Sequence, residues 1–368
     1  NQRSATLVEI KTNLGLVGWG EAFCQGLEPP EISAAVIENA LKPILLEQSP
    51  LNIEVLWHKM YNSTRDYGRK GSVVSGISAV DIALWDIAGK YYDQPVYQLL
   101  GGAFRTKIKP YATGFYRIKG KGEASRLAEE ALSHFENGFD HMKVKLGFGI
   151  DDDLKCMESI GNALKNKNVT LMIDTNHAYG RSEALTLGKN LQSYKLRWYE
   201  EPVVPEDITG YAELRSKLDI PIAGGECEYL RFGFHQLLKN KSVDIIQPDI
   251  CACGGLTEAK RIGSLASTYG VDIVPHTWGS SIGIHVALHF ISNLESLPGR
   301  MFSPDFLMEF DQTENALREQ LTFPKLEMKN GKIQVPSSPG LGLEVNQDEL
   351  HKFVNHNIGV VDIKELLK

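Results

Sequence analysis

Six short polar stretches in the second half of the chain recur at a nearly constant spacing. Each follows an apolar run and precedes a helix-like segment. They are Lys143-Val-Lys145, Asp174-Thr-Asn176, Glu200-Glu201-Pro202, Gly224-Gly225-Glu226, Pro248-Asp249 and Pro275-His276-Thr277. Counted from Lys145 to the chemically active residue of each stretch, the steps are 29, 26, 26, 23 and 27 residues. Successive strand–helix units of a (β/α) barrel have this spacing, and such barrels gather their strand ends into one site.

The rest of the sequence divides into three predicted parts. Residues 1–105 combine a hairpin pattern around Asn13-Leu-Gly15 with helical patterns at 32–47, 53–65 and 72–91, which predicts an α+β capping domain. Residues 106–314 alternate strand and helix, with strand candidates at 108–113, 141–146, 169–174, 196–200, 221–226, 243–248, 271–276 and 305–309. Residues 315–368 contain recurring Pro and Gly and are expected to return to the cap. The predicted fold class is α/β, a (β/α)7β barrel of the TIM type with this cap.

The bulk composition narrows the class of partner. A chain of 368 residues can bury a barrel core and a second domain. A net charge of −7 argues against nucleic acid or an anionic membrane, and apolar runs such as Ala34–Ile37 are too short to span a bilayer. Five cysteines without Cys-x-x-Cys spacing favour reduced thiols in a cytoplasmic protein. No secretory signal is visible, although the chain begins at Asn1, so an upstream segment could be missing.

Three carboxylates stand on three consecutive predicted strand ends. Asp174, Glu200 and Glu226 would lie side by side at the barrel mouth, where they repel one another unless a divalent cation neutralises them. Oxygen-only ligands favour Mg²⁺ over Zn²⁺. The alternative is that each carboxylate caps the helix that follows it, which three residues in register make less favourable.

Lys143 and Lys145 are separated by one residue, so they point to the same face of their strand. If that face lines the barrel, each ammonium group should lower the pKa of the other and produce an amine that can act as a base. The alternative is an outward pair of solvated lysines. Apolar residues at Met142, Val144 and Leu146 argue against it, because they would take the face that packs on helices.

Asp249 and His276 end the sixth and seventh predicted barrel strands and are therefore neighbours around the ring. An Asp bound to one imidazole nitrogen leaves the other free for proton transfer. Glu309, on the eighth strand, could hydrogen-bond the substrate if protonated or pair with a cation, and spacing favours neither. His285 and His289 are spaced like a zinc-binding pair but lack an intervening Glu, so core packing is the better interpretation.

One metal, one amine and one His–Asp pair suit the removal of a proton next to a carboxylate. That proton is weakly acidic, and a cation that holds the carboxylate stabilises the resulting enediolate. The second acid/base group then decides the outcome. A proton returned on the other face gives epimerisation, loss of a β-hydroxyl gives dehydration, and loss of a ring oxygen opens a lactone.

These motifs, with Trp198-Tyr-Glu-Glu-Pro202, Gln247-Pro-Asp249 and Val274-Pro-His276, resemble the mandelate racemase group of the enolase superfamily over essentially the whole chain. The resemblance implies that Lys145 and His276 are acid/base residues on opposite faces of the substrate, supported by Lys143 and Asp249. It implies one Mg²⁺ per subunit on the three carboxylates, with Asn176 and Glu309 binding a small acid substrate. Homo-oligomers are common in the family and are expected here.

Four longer stretches narrow the resemblance further. They are Tyr111-Ala-Thr-Gly114, Lys145-Leu-Gly-Phe-Gly149, Glu201-Pro-Val-Val-Pro-Glu206 and Met308-Glu-Phe-Asp311, and they resemble D-galactaro-1,4-lactone cycloisomerases. Related acid-sugar dehydratases share most of these residues, so dehydration or epimerisation is the alternative, and a non-catalytic binding barrel a remote one. One departure is that the family's first cap strand and its mobile loop, which touches substrate, have no counterpart before Thr6. A metallohydrolase barrel is excluded, because such barrels usually carry His-x-His on the first strand and this chain has Tyr111-Ala-Thr113 there.

Overall fold

The structure is a computed structural model that describes residues 3–25 and 28–353. Its amino-terminal part is a cap that begins with an antiparallel hairpin of β1 (Ala5–Lys11) and β2 (Val17–Phe23). Its helical segments are α1 (Pro30–Val36), a π-helical turn (Ile37–Leu41), α2 (Lys42–Leu45), α3 (Ile53–Thr64), α4 (Ser72–Tyr91) and α5 (Val96–Leu99). The predicted hairpin and helical regions are therefore present, with the first helical region divided into three short segments.

Helix α4 forms the core of the cap. Its 20 residues are long and apolar enough to cross a membrane by length and composition alone, but 83% of the apolar window is buried inside the protein. Strand β2 packs so closely on it that a Cβ at Gly20 would collide with the backbone carbonyl of Ala79. Glycine is therefore required at Gly20 by the contact between strand and helix.

The barrel consists of eight strands, all paired in parallel. They are β3 (Lys107–Thr113), β4 (His141–Lys145), β5 (Thr170–Asp174), β6 (Tyr199–Glu200), β7 (Ile222–Gly224), β8 (Ile245–Ile246), β9 (Asp272–Ile273) and β10 (Leu307–Asp311). Hydrogen bonds join each strand to the next from β3 to β9, and the last barrel strand, β10, pairs with the first, β3. The eight predicted strands are all present, although several are shorter than predicted.

One helix follows each of the first seven barrel strands. These are α6 (Ala124–Glu136), α7 (Ile150–Ala163), α8 (Arg181–Leu191), α9 (Ile208–Lys217), α10 (Leu230–Lys239), α11 (Gly255–Tyr269) and α12 (Ser281–Asn293), with a short 3-10 turn (Gln192–Tyr194) after α8. The register sets Lys145 beside Asp174 and Asp174 beside Glu200 at the carboxyl ends of β4, β5 and β6. The predicted (β/α)7β barrel with an α+β cap is confirmed, and the register explains why widely spaced residues meet.

The carboxyl-terminal segment touches both the barrel and the cap. It contains α13 (Ala316–Glu319), β11 (Thr322–Phe323), β12 (Met328–Lys329), β13 (Lys332–Gln334), β14 (Glu344–Val345) and α14 (Gln347–Phe353). β13 pairs with β3 in antiparallel fashion. The carbonyl of Gly340 accepts from Val96 N at 2.9 Å, and Leu341 N donates to Asp86 of α4 at 2.8 Å. The boundaries near residues 105 and 315 stay predictions, and the last 15 residues of the predicted return lie outside the described residues.

His285 and His289 of α12 are fully buried in the core, as predicted. Burial lowers the pKa of each to about 4, from an ordinary value of 6.5. Their stabilising contribution is therefore present above pH 6.5 and is lost as pH falls toward 4, because the unfolded chain takes up protons first. We expect the destabilisation caused by His285→Leu, measured by urea unfolding, to be about 2 kcal/mol smaller at pH 5 than at pH 7.5. An equal effect at both pH values would contradict this.

Candidate active site

Three carboxylates meet at the mouth of the barrel. Asp174 ends β5, Glu200 ends β6 and Glu226 lies two residues beyond β7. All three are buried, and one oxygen of each lies within 4.8 Å of the others. Burial raises the pKa of Glu200 to about 8, with the Asp174 carboxylate adding to the rise and Lys143 opposing it. Carboxylates crowded in this way have the donor chemistry of a site for a hard divalent cation.

Neighbouring side chains orient two of these carboxylates. Glu200 Oε2 accepts hydrogen bonds from Trp198 Nε1 at 2.8 Å and from Gln247 Nε2 at 2.7 Å. Glu226 Oε1 accepts from Gln25 Nε2 at 3.3 Å, whereas its Oε2 is buried without a hydrogen-bond partner among the described residues. Such supporting contacts fix the direction of metal ligands, and a buried carboxylate oxygen without a donor suits a cation. The residues therefore fit a metal of the type predicted.

The two lysines of β4 point into the barrel. Lys143 is fully buried, and its Nζ lies 2.5 Å from Glu200, 2.8 Å from Glu309 and 3.6 Å from Asp174. Lys145 is nearer the mouth, where its Nζ contacts Asp174 at 2.5 Å. The predicted outward alternative is excluded by this geometry.

The predicted lowering of the lysine pKa values is wrong for this arrangement of charges. Burial lowers the pKa of Lys145 most strongly, but the attraction of Asp174, with smaller contributions from Tyr116 and Glu226, brings the net pKa above its ordinary value. Burial lowers the pKa of Lys143 as well, but the carboxylates of Glu200 and Glu309 raise it. The net pKa of Lys143 is well above its ordinary value. Lysine–lysine repulsion is present at Lys145 but is smaller than the attraction of the carboxylate it contacts.

Asp249 and His276 form the predicted pair. Nδ1 of His276 lies 2.7 Å from Oδ2 of Asp249, whose other oxygen accepts from the Cys251 backbone N–H at 2.7 Å. The remaining imidazole nitrogen, Nε2, faces Glu226 Oε2 at 3.6 Å. Burial lowers the pKa of His276, but Glu226 and the hydrogen bond to Asp249 raise it to about 10 overall. An Asp at one nitrogen leaves Nε2 directed at the carboxylates, as proton transfer requires.

Glu309 and Asn176 complete the predicted set. Glu309 lies within β10 rather than at its end, and it both pairs with Lys143 and accepts from the backbone N–H of Thr277 at 3.2 Å. Burial raises and Lys143 lowers the pKa of Glu309, which falls below its ordinary value. Of the two alternatives, pairing with a cation is therefore the one observed. Asn176 Oδ1 accepts from Lys145 Nζ at 3.0 Å, which places its amide beside the candidate base.

Sequence reasoning missed contributions from the cap. Gln25 follows β2 and reaches both Glu226 and Cys227, and the ring of Phe23 lies edge-on to His276 at 5.1 Å. No spacing signal could identify these residues, because the contact depends on how the cap sits over the barrel. The structure also gathers His177, Glu201 and Cys227 next to the three carboxylates, with His177 Nδ1 3.0 Å from Glu201.

Glu21 of β2 fastens the cap to the segment that follows His276. Its buried carboxylate accepts from Ser280 N at 2.8 Å, Ser280 Oγ at 2.6 Å and Gly283 N at 2.9 Å. We expect Glu21→Ala to lower the free energy of unfolding by about 2–4 kcal/mol, because three buried donors lose their acceptor. Urea unfolding measures this, with Glu9→Ala on the exposed side of β1 as a control that changes stability by less than about 0.5 kcal/mol. Equal effects of the two substitutions would rule out the role of Glu21.

Both parts of the chain match known families. Residues 1–101 match the mandelate racemase / muconate lactonizing enzyme N-terminal domain, and residues 126–349 match the enolase C-terminal domain-like family. The chain belongs to the enolase superfamily. The predicted membership of the mandelate racemase group is confirmed, and so is the prediction that the chain is an enzyme. Members of this superfamily bind Mg²⁺, and the Asp174, Glu200 and Glu226 cluster could hold a metal.

Several relatives in the enolase superfamily cover almost the whole chain. D-galactarolactone cycloisomerase of Agrobacterium fabrum is 41% identical over 96% of this chain and 92% of its own length. Arabinonate dehydratase of Saccharolobus solfataricus is 34% identical over 94% and 89%. The crystal structure of the 3,6-anhydro-D-galactonate cycloisomerase from Zobellia galactanivorans superposes with a TM-score of 0.88 at 45% identity, covering 96% of this chain and 95% of that one.

Proposed function

We propose that this enolase-superfamily enzyme opens the ring of an acid-sugar lactone, D-galactaro-1,4-lactone or a similar aldarolactone, by β-elimination. The observation that carries the proposal is the placement of Lys145 and the His276–Asp249 pair on strands that flank the three carboxylates of β5 to β7. Two relatives named as cycloisomerases, at 41% and 45% identity, support the isomerisation of a cyclic acid sugar, and the one at 41% is named for a galactarolactone.

One Mg²⁺ per subunit is proposed on Asp174, Glu200 and Glu226. When bound, the cation supplies positive charge for the substrate carboxylate and so makes the neighbouring proton more acidic. Lys143 adds a fixed positive charge on the side of the barrel interior, since its Nζ is buried between Glu200 and Glu309. Asn176, held against Lys145, and Glu309 are proposed to bind the substrate and set its orientation.

Lys145 Nζ and His276 Nε2 are the proposed proton-transfer atoms. Asp249 holds the imidazole through Nδ1, so only Nε2 remains for exchange of a proton with substrate. One group takes the proton next to the carboxylate, and the β carbon–oxygen bond then breaks and leaves an enol. A proton added at the β carbon gives a 3-deoxy-2-keto acid. The net change is an isomerisation, and the reaction consumes no co-reactant.

Dehydration of an open-chain acid sugar is the second candidate. Arabinonate dehydratase and L-rhamnonate dehydratase are relatives at 34% and 32% identity, and they differ from the proposed reaction in the group expelled. Dehydration expels a hydroxyl group, which leaves as water only after it gains a proton. Epimerisation remains a weaker candidate. A non-catalytic barrel is set aside, because the relatives at 41% and 34% identity are named as enzymes and every residue of the predicted set is present. Cytoplasmic location and homo-oligomerisation remain proposals.

A product assay separates the two leading reactions. Purified enzyme with Mg²⁺ is given D-galactaro-1,4-lactone in one series, and galactarate, arabinonate and rhamnonate in another. Formation of a 2-keto acid is followed with a carbonyl reagent. Our proposal predicts kcat/KM at least about 100-fold higher for the lactone than for any open-chain acid, a factor typical of discrimination by a site built for one leaving group. The reverse ratio would assign the enzyme as a dehydratase.

A further inference from the structure

Arg3, from the segment before β1, lies against the barrel mouth next to the candidate site. Its Nη2 donates to Asp311 Oδ2 at 3.1 Å and to the Thr313 hydroxyl at 2.6 Å. Asp311 lies two residues after Glu309 on β10, so the two carboxylates share one face of that strand, with Asp311 nearer its carboxyl end. Glu309 pairs with Lys143 inside the barrel, and Arg3 pairs with Asp311 closer to the mouth on the same face of β10.

The guanidinium of Arg3 forms a wall with two aromatic rings. Its Cζ lies 3.6 Å from the ring centre of Trp278 and 5.9 Å from that of Tyr116. The Tyr116 ring centre in turn lies 6.0 Å from Lys145 Nζ, and Trp278 follows His276 by two residues. The wall therefore adjoins Lys145, and Trp278 connects it through the chain to His276.

Two hydrogen-bond donors of this wall are buried and unpaired. Nη1 of Arg3 and Nε1 of Trp278 have no hydrogen-bond partner among the described residues. Asp311 is shared by two guanidinium groups, because its Oδ2 also accepts a hydrogen bond from Arg318 Nη1 at 3.0 Å. Arg318 also pairs with Glu319, which is half-exposed. Arg3, by contrast, keeps Nη1 as a free donor next to the aromatic rings. Unpaired buried donors are rare in proteins, and a ligand oxygen is a common reason for them.

We propose that Arg3 and Trp278 form the subsite for the acyl end of the sugar lactone. This inference rests on the proposed function. When the base takes the proton next to the carboxylate, the electron pair of that bond forms a carbon–carbon double bond. The β carbon–oxygen bond breaks, and its electron pair goes to the acyl oxygen. The leaving group is therefore a carboxylate, which needs no proton but acquires a full negative charge, and Nη1 of Arg3 together with Nε1 of Trp278 offers two donors to such a group.

The test uses Arg3→Met with D-galactaro-1,4-lactone in D₂O. We expect kcat/KM for ring opening to fall about 10- to 100-fold, the loss of a charge-assisted hydrogen bond at the leaving group. Removal of the first proton should be affected less, because it builds no charge on the acyl end. Deuterium should then accumulate next to the carboxylate of the unreacted lactone, because slower departure of the leaving group gives the removed proton time to exchange with solvent. A general structural defect would slow both steps and would not cause this accumulation.

Two variants control for folding. Arg318→Met removes the other guanidinium on Asp311 without touching the aromatic wall, and it should change kcat/KM less than about 3-fold. Arg3→Lys keeps the charge and loses the directed Nη1 donor, so it should show a smaller loss with the same deuterium accumulation. The inference is overturned if Arg3→Met and Arg3→Lys retain wild-type kcat/KM, or lose ring opening and deuterium exchange in equal proportion. A wild-type enzyme that leaves the lactone unchanged would instead overturn the proposed function, and the inference with it.

Discussion

Replacing either proposed proton-transfer residue is expected to remove nearly all conversion of the lactone. Lys145→Met and His276→Asn should each lower kcat/KM by about 10²- to 10⁴-fold, the usual contribution of a positioned acid or base. The reason is geometric, since Lys145 ends β4 while His276 follows β9, and the two approach the carboxylates from different strands. Neither side chain is placed to take over the role of the other.

Steady-state kinetics and deuterium exchange together check this expectation. Lys109→Met is a matched control, because Lys109 belongs to β3 but pairs with Asp140 and Asp305 rather than with any carboxylate of the site. It should retain kcat/KM within about 3-fold, since its ion pairs are partly exposed. Retention of more than a tenth of wild-type activity by Lys145→Met or by His276→Asn would refute the assignment of that residue. Loss of exchange next to the carboxylate in one variant alone would identify the first base.

Replacing Glu226 by Gln is expected to remove both the response to Mg²⁺ and catalysis. A cation bound in the wild-type protein would relieve the repulsion among the three buried carboxylates, so saturating Mg²⁺ should raise the Tm by several degrees. Glu226→Gln removes the negative charge of the carboxylate whose Oε2 has no hydrogen-bond partner among the described residues. The Tm shift should largely disappear, and kcat should fall at least about 10³-fold because the charge that makes the proton acidic is lost.

A nearby carboxylate provides the control for Glu226. Glu228 lies two residues further on and pairs with Lys70 at 2.7 Å, away from the three-carboxylate cluster. Glu228→Gln should keep the Mg²⁺-dependent Tm shift and most of the activity. If Glu226→Gln keeps the wild-type Tm shift, or if EDTA leaves wild-type turnover unchanged, Glu226 is not a metal ligand.

The sequence was sufficient to predict the barrel and the grouping of its polar strand ends. The reason is that parallel strands in a barrel place their carboxyl ends together, so Asp174, Glu200 and Glu226 had to converge once their strands were recognised. The register then fixes their order around the ring without further information. The roles of these residues remain predictions that the experiments above test.

Two features could not be predicted from spacing. The charge of Lys145 depends on a contact of 2.5 Å with Asp174, and a motif shows that two groups are neighbours but not which attraction or repulsion is larger. Gln25 and Arg3 reach the site across the contact between cap and barrel, and their partners are more than 200 residues away in the chain. Contacts of that range carry no local periodicity.

Proton NMR of D-galactaro-1,4-lactone in D₂O with enzyme and Mg²⁺ tests the central claim most directly. We expect the signal of the proton next to the free carboxylate to disappear and a monodeuterated methylene of a 3-deoxy-2-keto acid to replace it. EDTA should prevent both changes. A spectrum that stays unchanged, with no exchange next to the carboxylate, would contradict the claim that this chain removes that proton.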